Sequence, residues 1–264
     1  MPAHGRKEAA MVTTDPSYLD VQAAIGITKH NGGYPATERL LEMCHARRAR
    51  DVLYVGSGIG VGPVHLARHY AHRVTALDID PAMLEWTRRR ARRDGVDAMV
   101  TTVQGDVRDL ALPDGRFDLV LVESVLAFVE DKDRAIAECV RVTRPGGWVG
   151  MNESVWAGDR PPLEVAAQGD VLGTWLPTRA EWAAQWDRSG LADRALEVHP
   201  LEIGAETRSR IEWIGWRWLL PAWGRTLRLV ARDPAIRRAI RTQLSYPPEL
   251  VALMGYALSA GRRE

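Results

Sequence analysis

The sequence is poor in cysteine, with two residues among 264. Cys44 and Cys139 fall inside helical patterns and lack the spacing of metal ligands, so neither a disulfide framework nor a metal site is expected. An excess of charge of either sign is also missing, because 35 basic residues stand against 34 acidic ones. The sequence therefore has no overall field that would favour nucleic acid or an anionic membrane as a partner.

Long hydrophobic runs are missing as well. The longest apolar concentration, Ile211 to Trp223, is interrupted by Glu212 and Arg217 and is too short to span a bilayer. Residues 1–15 are polar, lack the apolar centre of a signal peptide, and are expected to form a flexible arm. We therefore expect a soluble, cytoplasmic protein without an integral membrane segment. The chain is long enough to bury a substantial core.

The strongest local pattern lies between Asp51 and Gly62. The segment Val52 to Val55 is an apolar run, and a glycine then occupies every second position from Gly56 to Gly62. This pattern predicts a buried strand that turns sharply into a helix. Because glycine has no side chain, the backbone of such a turn can approach a bound molecule closely, and the helix start offers free N–H groups.

The glycine spacing argues against a dinucleotide site. That fingerprint, G-x-G-x-x-G or G-x-G-x-x-A, requires glycine or alanine at its sixth position. The sixth position is Val61 when counting starts at Gly56, and Pro63 when it starts at Gly58. The remaining pattern is G-x-G-x-G.

Acidic residues follow the next predicted strand, which begins at Arg73. Asp78 stands roughly 20 residues after Gly56, the separation at which an acid at the end of the second strand bonds ribose hydroxyls. Asp80 precedes Pro81 and is better explained as the N-cap of the following helix.

Two further strands are predicted over Ala98 to Gln104 and Phe117 to Val122. Asp106 follows the first of them, and Glu123 ends the second. Ligands of open α/β sheets bind at the carboxyl ends of parallel strands, near the switch in strand order. Glu123 is therefore expected beside the bound ligand, either contacting a cofactor or acting on a substrate.

The predicted strands are followed by a helix over 131–143, a Pro-Gly-Gly turn ending at Gly147 and a fifth strand, Trp148 to Asn152. From Leu53 to Glu153 the chain resembles the class I S-adenosylmethionine-dependent methyltransferases, notably the small-molecule branch that includes enzymes of quinone biosynthesis. The resemblance implies S-adenosyl-L-methionine as cofactor. It also implies a doubly wound, Rossmann-like sheet of seven mostly parallel strands, the last of them antiparallel.

The resemblance also implies roles for individual residues. Asp106 would bond the exocyclic amine of adenine, while Ile79 and Val107 would flank the two faces of the ring. The full set implied for the cofactor is Tyr54, Gly56, Ser57, Gly58, Gly60, Asp78, Ile79, Asp106, Val107 and Glu123.

Two departures from the family pattern are visible. Tyr54 stands where the family usually has an acid, so the amino-acid end of the cofactor must rely on backbone groups or on another acid. Glu123 opens the sequence Glu-Ser-Val-Leu, where enzymes that methylate nucleic acids or glutamine side chains carry an Asn-Pro-Pro-Tyr type of motif. The second departure argues against those substrates.

The segment before the glycine loop allows two interpretations. A short helix is predicted over Tyr18 to Ile27 and a second over Pro35 to His45, with a glycine-containing loop between them. The loop is either a simple turn or part of a cover over the cofactor. In the second case Tyr18, His30 or Tyr34 would face the methyl group, and His30 and Glu123 are the candidates for a general base.

A long helical insertion is predicted over 206–245, between a sixth strand at Ala195 to Ile203 and a seventh at Leu253 to Ala260. Treated as one helix, it places Ile211, Ile214, Trp218 and Ala222 on one face and Trp213, Trp216, Leu220 and Trp223 on another. A helix with two apolar faces is expected to bury both. Three alternatives remain open for the second face: a homodimer interface, a lid over an apolar substrate pocket, or peripheral membrane contact.

The sequence thus predicts four segments: a flexible arm and cofactor cover over 1–34, a Rossmann-like core over 35–205, a tryptophan-rich lid over 206–247, and a final core strand over 248–264. The expected function is transfer of a methyl group from S-adenosylmethionine to a small hydrophobic acceptor. The alternative is a non-catalytic protein that binds the same cofactor and docks through the insertion.

Overall fold

The computed structural model describes residues 16–28, 30–158, 161, 174–244 and 248–264. The strands are β1 (Asp51–Val55), β2 (Arg73–Asp78), β3 (Val100–Gln104), β4 (Phe117–Glu123), β5 (Thr143–Trp156), β6 (Ala192–Pro200) and β7 (Met254–Arg262). The helices are α1 (Tyr18–Ile25), α2 (Gly33–Met43), α3 (Val61–Tyr70), α4 (Pro81–Arg93), α5 (Lys132–Val142), α6 (Arg179–Asp187), α7 (Ile203–Ile214), α8 (Trp216–Arg232), α9 (Pro234–Leu244) and α10 (Pro248–Leu253).

The seven strands form one sheet in the order β3-β2-β1-β4-β5-β7-β6. Strands β1 to β5 pair in parallel, whereas β7 is antiparallel to both β5 and β6. The predicted fold class, including an antiparallel last strand, is confirmed. The strand order reverses beside β1, so β1 and β4 end at the switch point where α/β sheets bind ligands.

Strand β4 lies at the centre of the sheet and is buried along its whole length. Its alternate residues enter two cores on opposite faces of the sheet. Val120 and Val122 pack in the core that contains Trp182 and Trp186, whereas Leu119 and Leu121 belong to the core built around Leu40. Each such side chain contributes about 1.5–3 kcal/mol when fully buried, so helices on both faces hold the strand ends in fixed positions.

The predicted N-cap of α4 is present, because an Asp80 carboxylate oxygen accepts from the backbone N–H of Ala82 at 2.7 Å. At the start of α6, Thr178 and Glu181 form a reciprocal capping box. The boundary before the fifth strand was misjudged, because the predicted turn is continuous with β5, which begins at Thr143. The sixth strand was also misplaced, because β6 ends at Pro200 and Ile203 begins α7.

The insertion consists of three helices rather than one. Gly215, with φ 82° and ψ 144°, separates α7 from α8. Trp213 therefore does not share a face with Trp216 and Trp223. Trp218 of the first predicted face is buried, whereas Trp216, Leu220 and Trp223 of the second face are not covered by the described residues of the chain.

The buried face of α8 packs over the glycine loop and α4. The Trp218 indole donates to the carbonyl of Gly26 at 2.7 Å, and the Arg90 guanidinium lies 4.1 Å from the centre of a Trp218 ring. Ile214 and Leu219 pack with Ile59 of the glycine loop and Met83 of α4. The insertion is thereby fixed to the core through apolar packing and polar contacts together.

Some predictions fall outside the part of the chain that the structure describes. These concern the arm at residues 1–15 and the end of the insertion at residues 245–247. Among the described residues, no helix is both long and apolar enough to cross a bilayer.

Candidate functional site

A cavity of about 470 Å³ opens at the carboxyl ends of β1, β2 and β4. Most of the residues predicted from the sequence line it: His30, Tyr54, Gly56, Ser57, Gly58, Asp78, Ile79, Asp106, Val107 and Glu123. Gly60 is not part of the lining. It precedes α3, and a Cβ there would lie 2.7 Å from the Cα of Thr87, so its smallness serves helix packing.

The glycine loop is held against the end of β2. The backbone N–H groups of Gly56 and Ser57 both donate to the carbonyl of Leu77, at 2.8 and 2.9 Å. Gly56 has φ 72°, and a Cβ on it would overlap the Val125 side chain. Glycine is needed here for conformation and for space, and the loop turns its open side to the cavity.

Asp78 is buried at the end of β2 and faces this loop. Its carboxylate oxygens accept from the N–H groups of Gly58 at 2.9 Å and Asp80 at 3.1 Å. Burial raises the pKa of Asp78, while these two donors oppose the shift. A carboxylate oxygen accepts more than one hydrogen bond, so Asp78 keeps capacity for a diol in the cavity.

The predicted adenine end contains an ion pair that the sequence did not suggest. Asp106 pairs with Arg108, the closest contact being 2.6 Å between Nη2 and Oδ2. Arg108 holds the pKa of Asp106 below its usual value. Ile79 is exposed at the mouth, and Val107 is buried.

Glu123 is the most enclosed acid of the lining. The Tyr54 hydroxyl donates to its Oε2 at 2.6 Å, and the Thr37 hydroxyl donates to its Oε1 at 2.8 Å. Burial, followed by the Glu123 charge, raises the pKa of Tyr54 well above its usual value, so Tyr54 remains a donor. Tyr54 on β1 replaces the acid usual in the family, and a carboxylate, that of Glu123, lies beside it at the end of the neighbouring strand β4.

His30 is linked to Glu123 through Thr37. Its Nε2 lies 2.7 Å from the Thr37 hydroxyl oxygen and 3.6 Å from Oε1 of Glu123. Because the Thr37 proton is directed to Glu123, the hydroxyl must accept from Nε2–H. Nδ1 then carries the free lone pair. The ring packs against Trp213, with 5.2 Å between centroids.

The loop that carries His30 is tied to the sheet. The Asn31 backbone N–H donates to the Ser124 hydroxyl, its side-chain amide donates to Ser154, and its carbonyl accepts from the Asn152 amide at 2.9 Å. Ser124 has φ 60°, an uncommon conformation for serine, at the carboxyl end of β4. These contacts join residues far apart in sequence, and no local pattern identified them.

The insertion holds the same loop from the other side. The Gly32 N–H donates to Oε1 of Glu206 at 2.9 Å, and the Tyr34 N–H donates to the Ser209 hydroxyl at 2.9 Å. Glu206 is buried. Of the three side chains considered for a cofactor cover, Tyr18 and His30 line the cavity, whereas Tyr34 packs against Trp213 outside the lining.

Apolar side chains, many of them aromatic, line much of the remainder of the cavity, beside polar residues such as Gln22, Glu130 and Ser154. Its aromatic lining consists of Tyr18, Phe128, Trp156, Trp175 and Trp213, extended by Leu176, Leu250 and Met254. Tyr18 stacks on Phe128, with centroids 5.9 Å apart. Arg108 is the only arginine or lysine among the described lining residues. Within the described chain, no cluster of three or more His, Cys, Asp or Glu side chains could hold a metal ion.

Residues 53–151 match the sequence model of a family described as a methyltransferase domain. Ajmaline N-methyltransferase of Rauvolfia serpentina is 32% identical over 136 residues, which are 48% of this chain and 47% of that protein. The chain spans about half the length of this curated relative.

Solved structures share the fold over nearly the whole chain. The [4+2]-cyclase SpnF superposes with a TM-score of 0.70 at 20% identity, covering 94% of this chain and 97% of that one. A methyltransferase from Geobacter sulfurreducens, solved with S-adenosylhomocysteine, has a TM-score of 0.67 at 20% identity, covering 95% and 99%.

The order of the sheet, the glycine loop facing Asp78 and the match over residues 53–151 agree with one another. S-adenosylmethionine is the cofactor of proteins with this domain, and the acids and glycines of the cavity suit it. Residues 53–151 of the chain belong to the class I S-adenosylmethionine-dependent methyltransferase family.

Proposed function

We propose that the chain transfers a methyl group from S-adenosylmethionine to a small, largely apolar acceptor that is neutral or cationic. The observation that carries the proposal is the shared cavity: one enclosure is lined by the glycine loop and Asp78 and also by aromatic side chains, with His30 and Glu123 in the same lining. Such a cavity can hold a cofactor and an acceptor in contact.

S-adenosylmethionine supplies an electrophilic methyl group on a sulfonium, so direct in-line transfer needs alignment and exclusion of water more than activation of the donor. In this proposal the glycine loop and Asp78 hold the nucleoside. Glu123, fixed by Tyr54 and Thr37, provides negative charge near the amino-acid end. Val107 and Ile79 flank the adenine, and Asp106 accepts from its amine while remaining paired with Arg108.

His30 is proposed as the general base for acceptors that must lose a proton. Its Nδ1 carries the free lone pair, and Thr37 connects its Nε2 to the Glu123 carboxylate. A proton accepted at Nδ1 would give the ring a positive charge, and its Nε2 lies 3.6 Å from Oε1 of Glu123. Glu123 itself is enclosed by two donors, so in this proposal it positions and supports His30.

The chemistry of the lining supports the acceptor class. An acceptor with a phosphate or carboxylate group needs basic partners, and among the described lining residues the only arginine or lysine, Arg108, is paired with Asp106. The aromatic side chains favour an apolar body, and they also attract cations over their ring faces. The name of the relative from Rauvolfia serpentina, which specifies N-methylation, makes apolar amines the first acceptors to test.

Calorimetric titration with S-adenosylmethionine, S-adenosylhomocysteine and NADH tests the cofactor part of the proposal. We expect binding of the first two ligands and none of NADH. Incubation with isotopically methyl-labelled S-adenosylmethionine and a panel of apolar amines, phenols and carboxylates then tests transfer. Labelled product is expected from the amines or phenols.

Three results would contradict the proposal in whole or in part. Binding of NADH alone would mean that the glycine loop holds a dinucleotide. Tight binding of S-adenosylmethionine without transfer to any acceptor would favour a non-methylating protein with the same cofactor, the alternative left by the sequence. Preferential labelling of the carboxylates would overturn the acceptor class alone.

A further inference from the structure

Helix α8 carries an apolar stripe that faces away from the rest of the protein. The stripe consists of Trp216, Leu220, Trp223 and Leu227, spaced four, three and four residues apart, so the side chains lie on one helical face. Their exposed fractions are 56%, 59%, 43% and 71%. Four large apolar side chains exposed together form a patch of a kind that marks an interaction site.

The exposed stripe is not the face that fixes α8 to the rest of the chain. The opposite side of α8 is already buried, because Trp218, Leu219 and Ala222 pack toward the core. The stripe is also preformed, since the rings of Trp216 and Trp223 contact each other edge to face at 5.8 Å. The helix therefore presents an ordered apolar surface.

The exposed charges of α8 and α9 are nearly all of one sign. Arg217 and Arg228 each follow a residue of the stripe on α8, and Arg232, Arg237, Arg238 and Arg241 continue the series along α8 and α9; we call these exposed side chains the arginine border. Between Trp216 and Arg241 the only acid is Asp233. Its carboxylate accepts from the N–H of Ala235 at 2.8 Å and serves as a helix cap. The overall charge balance of the chain thus hides a strongly basic local surface.

We propose that the α8 stripe and its arginine border bind the surface of an anionic phospholipid membrane. A helix with tryptophan and leucine on one side and arginine beside them lies in the plane of the headgroups, with its apolar side a few ångströms into the acyl region. Each arginine near an anionic surface strengthens binding about fivefold at physiological salt. The apolar stripe suits the acyl region of an anionic membrane, and the arginines suit its headgroups.

The charge of the arginine border also argues against a second copy of the chain as the partner that covers the stripe. A two-fold interface would place the stripe of one protomer on that of its partner and bring the two arginine borders together. Like charges in such an arrangement are destabilising. An anionic lipid surface has the opposite charge and accepts tryptophan at its interface.

Sedimentation with vesicles tests the inference without cofactor or acceptor. The full chain is mixed with vesicles of phosphatidylcholine containing about one third phosphatidylglycerol, and with vesicles of phosphatidylcholine alone. We expect binding to the first, little binding to the second, and weakening as salt rises. Equal binding to both, or to neither, would overturn the proposal.

Two variants separate the contributions. Replacing Arg217, Arg228 and Arg232 with glutamine should lower partitioning on the order of 100-fold, since each contributes about fivefold. Leu220→Ser with Leu227→Ser should also release the protein, and circular dichroism should show an intact fold because both side chains are exposed. The control, Arg68→Gln with Arg92→Gln, removes exposed charges from α3 and α4 and should bind like the parent chain.

Analytical ultracentrifugation of the same variants tests whether a second copy of the chain, and not a membrane, covers the stripe. A parent chain that is dimeric at micromolar concentration and becomes monomeric in the leucine variant would show that a second copy covers the stripe. That result would overturn the lipid proposal. A monomeric parent chain that binds only the anionic vesicles supports it.

Discussion

The hydroxyl of Tyr54 donates to Oε2 of Glu123 across neighbouring strands at 2.6 Å. Gly62 makes this contact possible, because a Cβ at that position would overlap the Tyr54 ring. Tyr54 and Gly62 therefore belong together: the tyrosine needs the space that the glycine leaves. In this arrangement the carboxylate next to the Tyr54 position comes from Glu123 at the end of β4, and not from a residue of β1.

Tyr54→Phe should weaken both stability and cofactor binding. The variant removes a donor from a buried carboxylate, which costs about 1–3 kcal/mol in the free energy of unfolding. We also expect S-adenosylmethionine affinity to fall roughly tenfold, since Glu123 loses one of its two anchors. Urea unfolding and calorimetry measure the two effects.

Tyr70→Phe is the matched control. The Tyr70 hydroxyl donates to Oε2 of Glu38 at 2.9 Å, outside the cavity lining. This variant should lower the free energy of unfolding without changing cofactor affinity. If both variants changed affinity equally, Tyr54 would have no special relation to the site.

The sequence predicted the parts of the molecule whose causes are local. Alternation and turn residues located the strands of the sheet, and the spacing of Asp78 from the glycine loop identified an acid that does face that loop. The cap at Asp80 needs only its own neighbours. These features depend on neighbouring residues or on the spacing within one strand–helix–strand unit.

The remaining features depend on contacts across long stretches of chain. Thr37 meets Glu123 although 86 residues separate them, and Gly32 meets Glu206 across 174. No periodicity reports such pairs. The insertion was misjudged for a different reason, because Gly215 breaks a pattern that looked continuous, and the helical faces on either side of it become independent.

Asp78→Asn should lower S-adenosylmethionine affinity by about 10- to 100-fold, the loss expected when charged hydrogen bonds to a ligand become neutral ones. Asparagine can still accept from the Gly58 N–H, so the loop should remain folded. Calorimetry measures the affinity. This prediction assumes that Asp78 binds the ribose hydroxyls of the cofactor.

Asp80→Asn serves as the comparison for that substitution. Asparagine is as good an N-cap as aspartate, so α4 should be unaffected and cofactor affinity should change little. Equal losses of affinity in the two variants would remove the specific ribose assignment and leave only a general effect of negative charge.

Thr37→Val should disconnect His30 from Glu123 while leaving both side chains in place. We expect kcat for a proton-releasing acceptor to fall by about 10²- to 10⁴-fold, the range for losing an effective general base, with S-adenosylmethionine affinity retained. Steady-state kinetics over a range of pH test this.

Thr37→Ser keeps the hydroxyl and should retain near-normal kcat and the parent pH profile. His30→Gln should reduce kcat to a level similar to that of the valine variant. An active His30→Gln protein with the parent pH profile would return the loop to a structural role, the other interpretation that the sequence allowed.

Glu153 introduces a pH dependence of stability. It is buried beneath the loop after β4, where its Oε1 accepts from the Val125 N–H at 3.0 Å. Burial raises its pKa from 4.5 to about 7, although backbone donors and the charge of Lys132 oppose the shift. Lys132 is itself bonded to the carbonyl of Val129 at 2.7 Å and does not neutralise the carboxylate directly.

The sign follows from comparing the folded and unfolded states. Below pH 4.5 Glu153 is protonated in both states, whereas between pH 4.5 and about 7 only the unfolded chain releases the proton. The free energy of unfolding should therefore fall by about 3 kcal/mol as pH rises through this window and stay level above it. Glu153→Gln has no proton to release and lacks this contribution. Urea unfolding of both proteins across the window should give curves that diverge with rising pH, while parallel curves would mean that Glu153 titrates normally in the folded protein.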